Sequence, residues 1–327
     1  MNGFRIPVGV WVDSGVDWLR DNLSGLFDVI ALVVRFLVGG LSDVLLAAPI
    51  VVVIVVAALL AWLLRSWKLA LGTVIGFALI LAMGQWVTAM QTLALVLVAT
   101  VVAVAISVPL GIWSARNSTV RAVLKPILDF MQTMPAFVYL IPAITFFSIG
   151  VVPGVVSTVI FALPPGVRLT ELGIRGVDSE TVEAGHAFGA TPGQILRGIQ
   201  LPLAMPTIMA GINQVIMLAL SMAVVAGIVG ADGLGKEVVE SISTVNLPKG
   251  VEAGLSVVVL AVYLDRLTAA LGNRADNTGS LLGVLGRRRA ARAAAATSAS
   301  TLQTPDAAEP IERDQTPTRR TPVSAGR

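Results

Sequence analysis

Residues 44–64 read VLLAAPIVVVIVVAALLAWLL, without one charged side chain. A run this long and apolar limits the possible folds severely. About 20 apolar residues in a helix cross the hydrocarbon of a bilayer, where every backbone polar group has to be bonded within the chain. Comparable runs recur at 69–84, 86–113, 127–149, 152–167, 207–230 and 253–272. Composition agrees: 55% of the 327 residues are hydrophobic and 13% charged, about half the charged share of a soluble domain. The absence of cysteine rules out disulfides and thiolate metal sites, and a single histidine, His186, argues against a histidine zinc cluster or a Ser/His/Asp triad.

Residues 1–43 carry Asp13, Asp17, Asp21, Asp28 and Asp43, and lack the basic start, apolar centre and cleavage site of a signal peptide. Leu19, Leu23, Leu26 and Ile30 recur at helical spacing, with Asp13, Asp17, Arg20, Ser24 and Asp28 on another face. This predicts an amphipathic N-terminal helix, either lying at a membrane surface with Trp11 and Trp18 as anchors or packed on the protein itself. Basic clusters fall on every second connection: Arg65 and Lys68; Arg116, Arg121 and Lys125; Arg168, Arg175 and Arg197; then Arg274 and Arg287–Arg289. The positive-inside rule then gives seven spans, with the N-terminus outside, the C-terminus cytoplasmic, 168–206 inside and 231–252 outside. The same distribution explains the net charge of +3 without nucleic-acid binding. From about Arg287 the tail lacks the apolar side chains needed to offset ordering, which predicts disorder. The expected organisation is an interfacial segment at 1–43, accessory N-terminal spans at 44–84, a transmembrane core at 85–272 and a cytoplasmic tail at 273–327.

One cytoplasmic stretch, EAGHAFGATPGQILRGIQLP at 183–202, is polar and punctuated by glycine. Asp178 is placed to cap a first short helix and Gly189 to stop it. Thr191-Pro192-Gly193-Gln194 has the form of a capping box opening a second helix, with Ile195 and Ile199 on one face. Pro202 and Pro206 are expected to end that helix and turn the chain toward the next span.

Glu183-Ala184-Gly185, then Gly189, then Ile199-x-Leu201-Pro202 resembles the EAA loop of ABC-transporter permeases. The segments Asp129–Pro142 (DFMQTMPAFVYLIP) and Gln200–Gln214 (QLPLAMPTIMAGINQ) are similar to the glycine betaine/proline permeases, and the likeness extends over roughly 85–272. The resemblance implies an all-α integral membrane protein, a polytopic helical bundle. Its core would be a type I ABC importer permease of about five methionine-permease-like spans, here with two N-terminal spans added. It implies an importer of glycine betaine, proline or a related compatible solute in the bacterial inner membrane. The chain would carry no catalytic residue and bind no cofactor. ATP and Mg would belong to a dimer of separate ABC ATPase subunits, and the other partners would be an extracytoplasmic substrate-binding protein, a second permease copy and membrane lipid. Glu183, Ala184, Gly185, Gly189, Ile195, Ile199, Leu201 and Pro202 would make up the coupling loop, with Glu183 and Gly189 at the contact and Ile199 and Leu201 packing beneath. Gly185 departs from the usual alanine, which would loosen the first helix by up to about 1 kcal/mol without removing a contact group. His186 occupies a position the motif leaves variable and reads as a solvated or partly packed side chain, the alternative being contact with the ATPase or pH sensing.

For the translocation pathway, Pro135 and Pro142 interrupt helical hydrogen bonding, as tolerated where backbone lines a cavity or packs in protein. Gln132, Asn213 and Gln214 are polar near membrane depth and are expected to face the interior. Met134, Phe137 and Tyr139 complete the expected lining. Phe137 and Tyr139, with Phe146 and Phe147, either offer cation–π faces to a quaternary ammonium or pack against neighbours. Gly230–Lys236, GADGLGK, fits most of a phosphate loop, but Glu237 stands where a Ser or Thr would hold magnesium, so it reads as an external turn. Asp265 and Arg266 read as an interfacial pair. The alternatives are another cargo (methionine, taurine, choline or carnitine) or an ATPase-independent carrier or channel, which would leave the EAA spacing unexplained.

Overall fold

Proline sets where the first apolar run breaks. In the computed structural model, which describes residues 7–272, helix α1 spans Val8–Ala47 and α2 spans Ile50–Leu64. Between them Ala48 is extended (ψ 140) and Pro49 precedes the new helix. A proline has no N–H to donate and pushes the preceding residue out of the helical region. The run at 44–64 is therefore shared between two helices instead of forming one span. The predicted interfacial segment and the start of that run are one 40-residue helix, kinked at Leu23.

The remaining elements are α3 (Trp67–Ala82), α4 (Trp86–Arg116), α5 (Ser118–Thr133), α6 (Leu140–Phe147), α7 (Val151–Arg175), α8 (Ser179–Ala187), α9 (Pro192–Ile195), α10 (Leu201–Val225), α11 (Leu234–Ser243) and α12 (Leu247–Gly272). Among the described residues, α1, α4, α7, α12 and a rod running from α9 through α10 are long and apolar enough to cross a bilayer. The predicted span at 127–149 is instead two helices, α5 and α6, bent by 111° at Met134–Pro135. α2 and α3, at 15 and 16 residues, fall short of a full crossing and pack on one another. The predicted disordered tail and the basic residues Arg274 and Arg287–Arg289 lie outside the described residues.

The centre is α4, α7 and α10, joined by small residues. A Cβ on Gly166 of α7 would lie 2.4 Å from Ser107 Oγ of α4, and one on Gly111 of α4 would lie 2.5 Å from Thr170 Cβ of α7. Lipid is as apolar as a leucine side chain, so helices in a bilayer gain from close backbone approach rather than from burial. This rigid centre carries α8 and α9 at one end and the glycine turn before α11 at the other.

Candidate functional site: the helical loop between α7 and α10

The loop is built by local chemistry. Asp178 Oδ1 accepts the Glu180 amide at 3.2 Å and starts α8, three residues beyond the end of α7. Gly189 closes α8 at φ +78, a left-handed conformation that side chains rarely adopt, with its amide on the His186 carbonyl at 2.9 Å. The capping box forms in both directions: Gln194 N donates to Thr191 Oγ1 at 3.4 Å and Thr191 N donates to Gln194 Oε1 at 2.8 Å.

Pro202 does not end the second helix. Residues 196–200 widen into a π turn, in which the Leu201 amide donates to the Leu196 carbonyl five residues back. That extra residue lets the helix pass Pro202, and the rod continues from Pro192 to Val229. α9 and α10 therefore form one continuous helical element.

The side chains divide by face. Ile195 is buried, Ile199 and Leu201 are half-buried, and Leu196 joins Ile174, Ala204 and Ile208 in an apolar cluster beneath the loop. Glu183, Ala184, Gly189 and Pro202 are exposed. A Cβ on Gly185 would stand 2.8 Å from Ile199 Cδ1, so this glycine is a close-packing position and not simply a loosened turn of helix. His186 is exposed, and it borders a recess of about 210 Å³ with Arg116 and Arg175. The side chain that stands out was not among the predicted residues: Phe188 is 92% exposed at the tip of α8. An aromatic next to a glycine in a polar stretch was the available signal. The arrangement is a short helix with an exposed apolar side chain at its tip.

The predicted pathway residues differ in exposure. Gln132, Pro135, Phe137, Pro142 and Gln214 are exposed and Met134 is half-buried. Tyr139 is buried, edge-on to Phe161, and its hydroxyl donates to the Met131 carbonyl. That carbonyl would receive the amide of residue 135 in an unbroken helix, and Pro135 has none, so Tyr139 clips the α5–α6 break. Phe146 stacks on Phe27 of α1 at 4.5 Å and Phe147 meets the same ring edge-on at 5.6 Å, so both pack. Asn213 donates to Asp265 Oδ1 at 3.0 Å and accepts from Thr268 Oγ1 at 2.6 Å, tying α10 to α12. Arg266 lies 3.8 Å from Asp265, so the short bond of this carboxylate is to Asn213 and not to its expected neighbour.

The glycine turn at 226–236 is closed. A Cβ on Gly227 would lie 2.3 Å from the Gly235 carbonyl carbon, and the Leu234 amide is taken by Thr92 Oγ1 at 2.8 Å. No phosphate has room where these backbones touch. Asp232 accepts from Lys236 at 2.8 Å, a hydrogen bond that holds this amine above the usual lysine range.

Residues 107–277 match the family model described as binding-protein-dependent transport system inner membrane component. The chain is 48% identical over 276 residues to the glycine betaine transport system permease protein of Bacillus subtilis strain 168, covering 84% of this chain and 98% of the relative. It is 45% identical over 275 residues to the glycine betaine/proline betaine transport system permease protein of Escherichia coli K12, covering 84% and 78%. Among solved structures, a chain of a methionine ABC transporter in inward-facing conformations is similar at TM-score 0.50 and 25% identity, covering 58% of this chain and 93% of that one.

Proposed function

Because the chain belongs to the family of binding-protein-dependent transport system inner membrane components, we propose that it serves an ATP-driven importer of glycine betaine, proline betaine or a related compatible solute. The chain is the multi-pass permease subunit; its relatives are permease subunits, and the cargo is carried over from them. The observation that carries the reading is the pair α8–α9, an exposed helical handle fused to the stiff rod of α10. An ABC ATPase dimer, holding ATP and Mg, grips α8 around Glu183, Ala184 and Phe188. An extracytoplasmic binding protein delivers the solute, and a second permease copy completes the pathway. This chain performs no catalysis. Arg116, Arg121, Lys125, Arg168 and Arg175 keep the α8 end in the cytoplasm, with residues 231–252 outside. On the seven-span reading of the sequence the N-terminus is outside and the C-terminus cytoplasmic.

The test is reconstitution in vesicles with the ATPase and the binding protein. Betaine import that needs ATP supports the reading; uptake that persists without the ATPase overturns it. Competition among betaine, proline betaine, choline, carnitine, methionine and taurine for the binding protein fixes the cargo.

A further inference from the structure

Helix α5 is held to the bundle in an unusual way. Along its 16 residues only Leu128 is buried, so apolar packing contributes little to its position. Charged side chains take that part. Glu171 of α7, 15% exposed, meets Arg121 Nε at 2.8 Å and accepts from Ser114 Oγ of α4 at 2.7 Å. One turn earlier on α7, Arg168 pairs with Asp129 and donates to Gln132 Oε1 at 2.7 Å. α7 thus presents a cation and then an anion, and α5 answers with the opposite signs in reverse order. A slip of α5 by one turn in one direction would bring Lys125 against Arg168, a like-charge contact.

The two ends of this bracket lead to different parts of the machine. α7 runs into α8 with only Gly176, Val177 and Asp178 between them. α5 runs into the 111° break at Met134–Pro135, which Tyr139 clips. We infer that Arg168–Asp129 and Glu171–Arg121 are a transmission bracket: these four residues position α5, so that displacement of α8 by the ATPase moves the α5–α6 arm. This rests on the reading of α8 as the ATPase-docking helix. Exposed ion pairs contribute about 0–1 kcal/mol to stability, so the Arg168–Asp129 pair is separable from folding.

The experiment uses the full chain reconstituted with its ATPase and binding protein, and reads solute imported per ATP hydrolysed. Arg168→Asp is expected to lower that ratio about tenfold or more while the ATPase still co-purifies and hydrolyses ATP. The double reversal Arg168→Asp with Asp129→Arg is expected to restore it to within about twofold of the original. A single reversal with an unchanged ratio, or a double reversal no better than the single, overturns the bracket. Should Arg168→Asp fail to assemble, Asp129→Asn carries the same test: a severalfold fall supports the bracket and an unchanged ratio overturns it. ATP-independent uptake by the unaltered protein overturns the docking reading itself, an outcome distinct from an unchanged ratio in the variants.

Discussion

Two glycine-punctuated stretches interrupt the apolar helices, residues 178–202 and residues 226–236, and they are built in opposite ways. In the first, Gly189 takes a left-handed conformation with open space around it, and Phe188 beside it is almost fully exposed. In the second, Gly227 and Gly235 are pressed backbone to backbone, and Gly233 sits against Thr92. Gly189 supplies a conformation, whereas Gly227 and Gly235 supply thinness. The first stretch presents an exposed helix end; the second is a close-packed turn.

The contrast can be broken from either side, and the close-packed turn should fail hardest. Gly235→Ala places a Cβ 2.6 Å from the Ala223 carbonyl oxygen. Backbone on both sides leaves no cheap relaxation, so about 3 kcal/mol or more should be lost. Size-exclusion profiles and thermal unfolding in detergent should show a sharp loss of folded protein; a stable variant would mean the closure is looser than described. Next comes Thr92→Val, which removes the acceptor of the Leu234 amide and should cost about 2 kcal/mol, read as a lowered Tm with the ATPase still binding.

On the handle, effects should fall on coupling before stability. Phe188→Ala should leave the Tm unchanged and weaken ATPase association about tenfold, ~1.4 kcal/mol, in a titration of labelled ATPase. A Tm shift without weaker association would make Phe188 structural. Gly189→Ala should cost about 1 kcal/mol locally and lower import per ATP, with the rest of the fold intact. The smallest effect belongs to Gly185→Ala. Its Cβ would meet only Ile199 Cδ1, the end of a flexible side chain, and better helix propensity offsets the crowding, for a net change within about 1 kcal/mol. A large loss there would show that Ile199 has nowhere to go.

Much of this loop was legible in advance because its signals are local. Asp178, Gly189 and the Thr191–Gln194 box act over three or four residues, and each forms as its spacing predicts. Pro49 and Pro202 were harder to read. The first broke a run that looked continuous, and the second was absorbed by a π turn that no local rule required. The aromatics divide in the same manner. Tyr139, Phe146 and Phe147 have partners on α5, α7 and α1, and nothing in their own neighbourhood of sequence indicates which partner each will find.

The amino-acid sequence by itself determined that this chain is a helical membrane protein, and its EAA spacing and its likeness to the betaine permeases pointed to the transport family. Hydrophobic run length, caps and a motif are properties of short segments and need no folding to be read. Only the tertiary structure decided that Phe188 is the exposed tip, that Gly185 makes room for Ile199, and that α5 is tied to α7 by two ion pairs. Those facts depend on which surfaces meet across tens of residues. Between helices in a bilayer, fit and pairing make that choice, because hydrophobicity no longer distinguishes one neighbour from another.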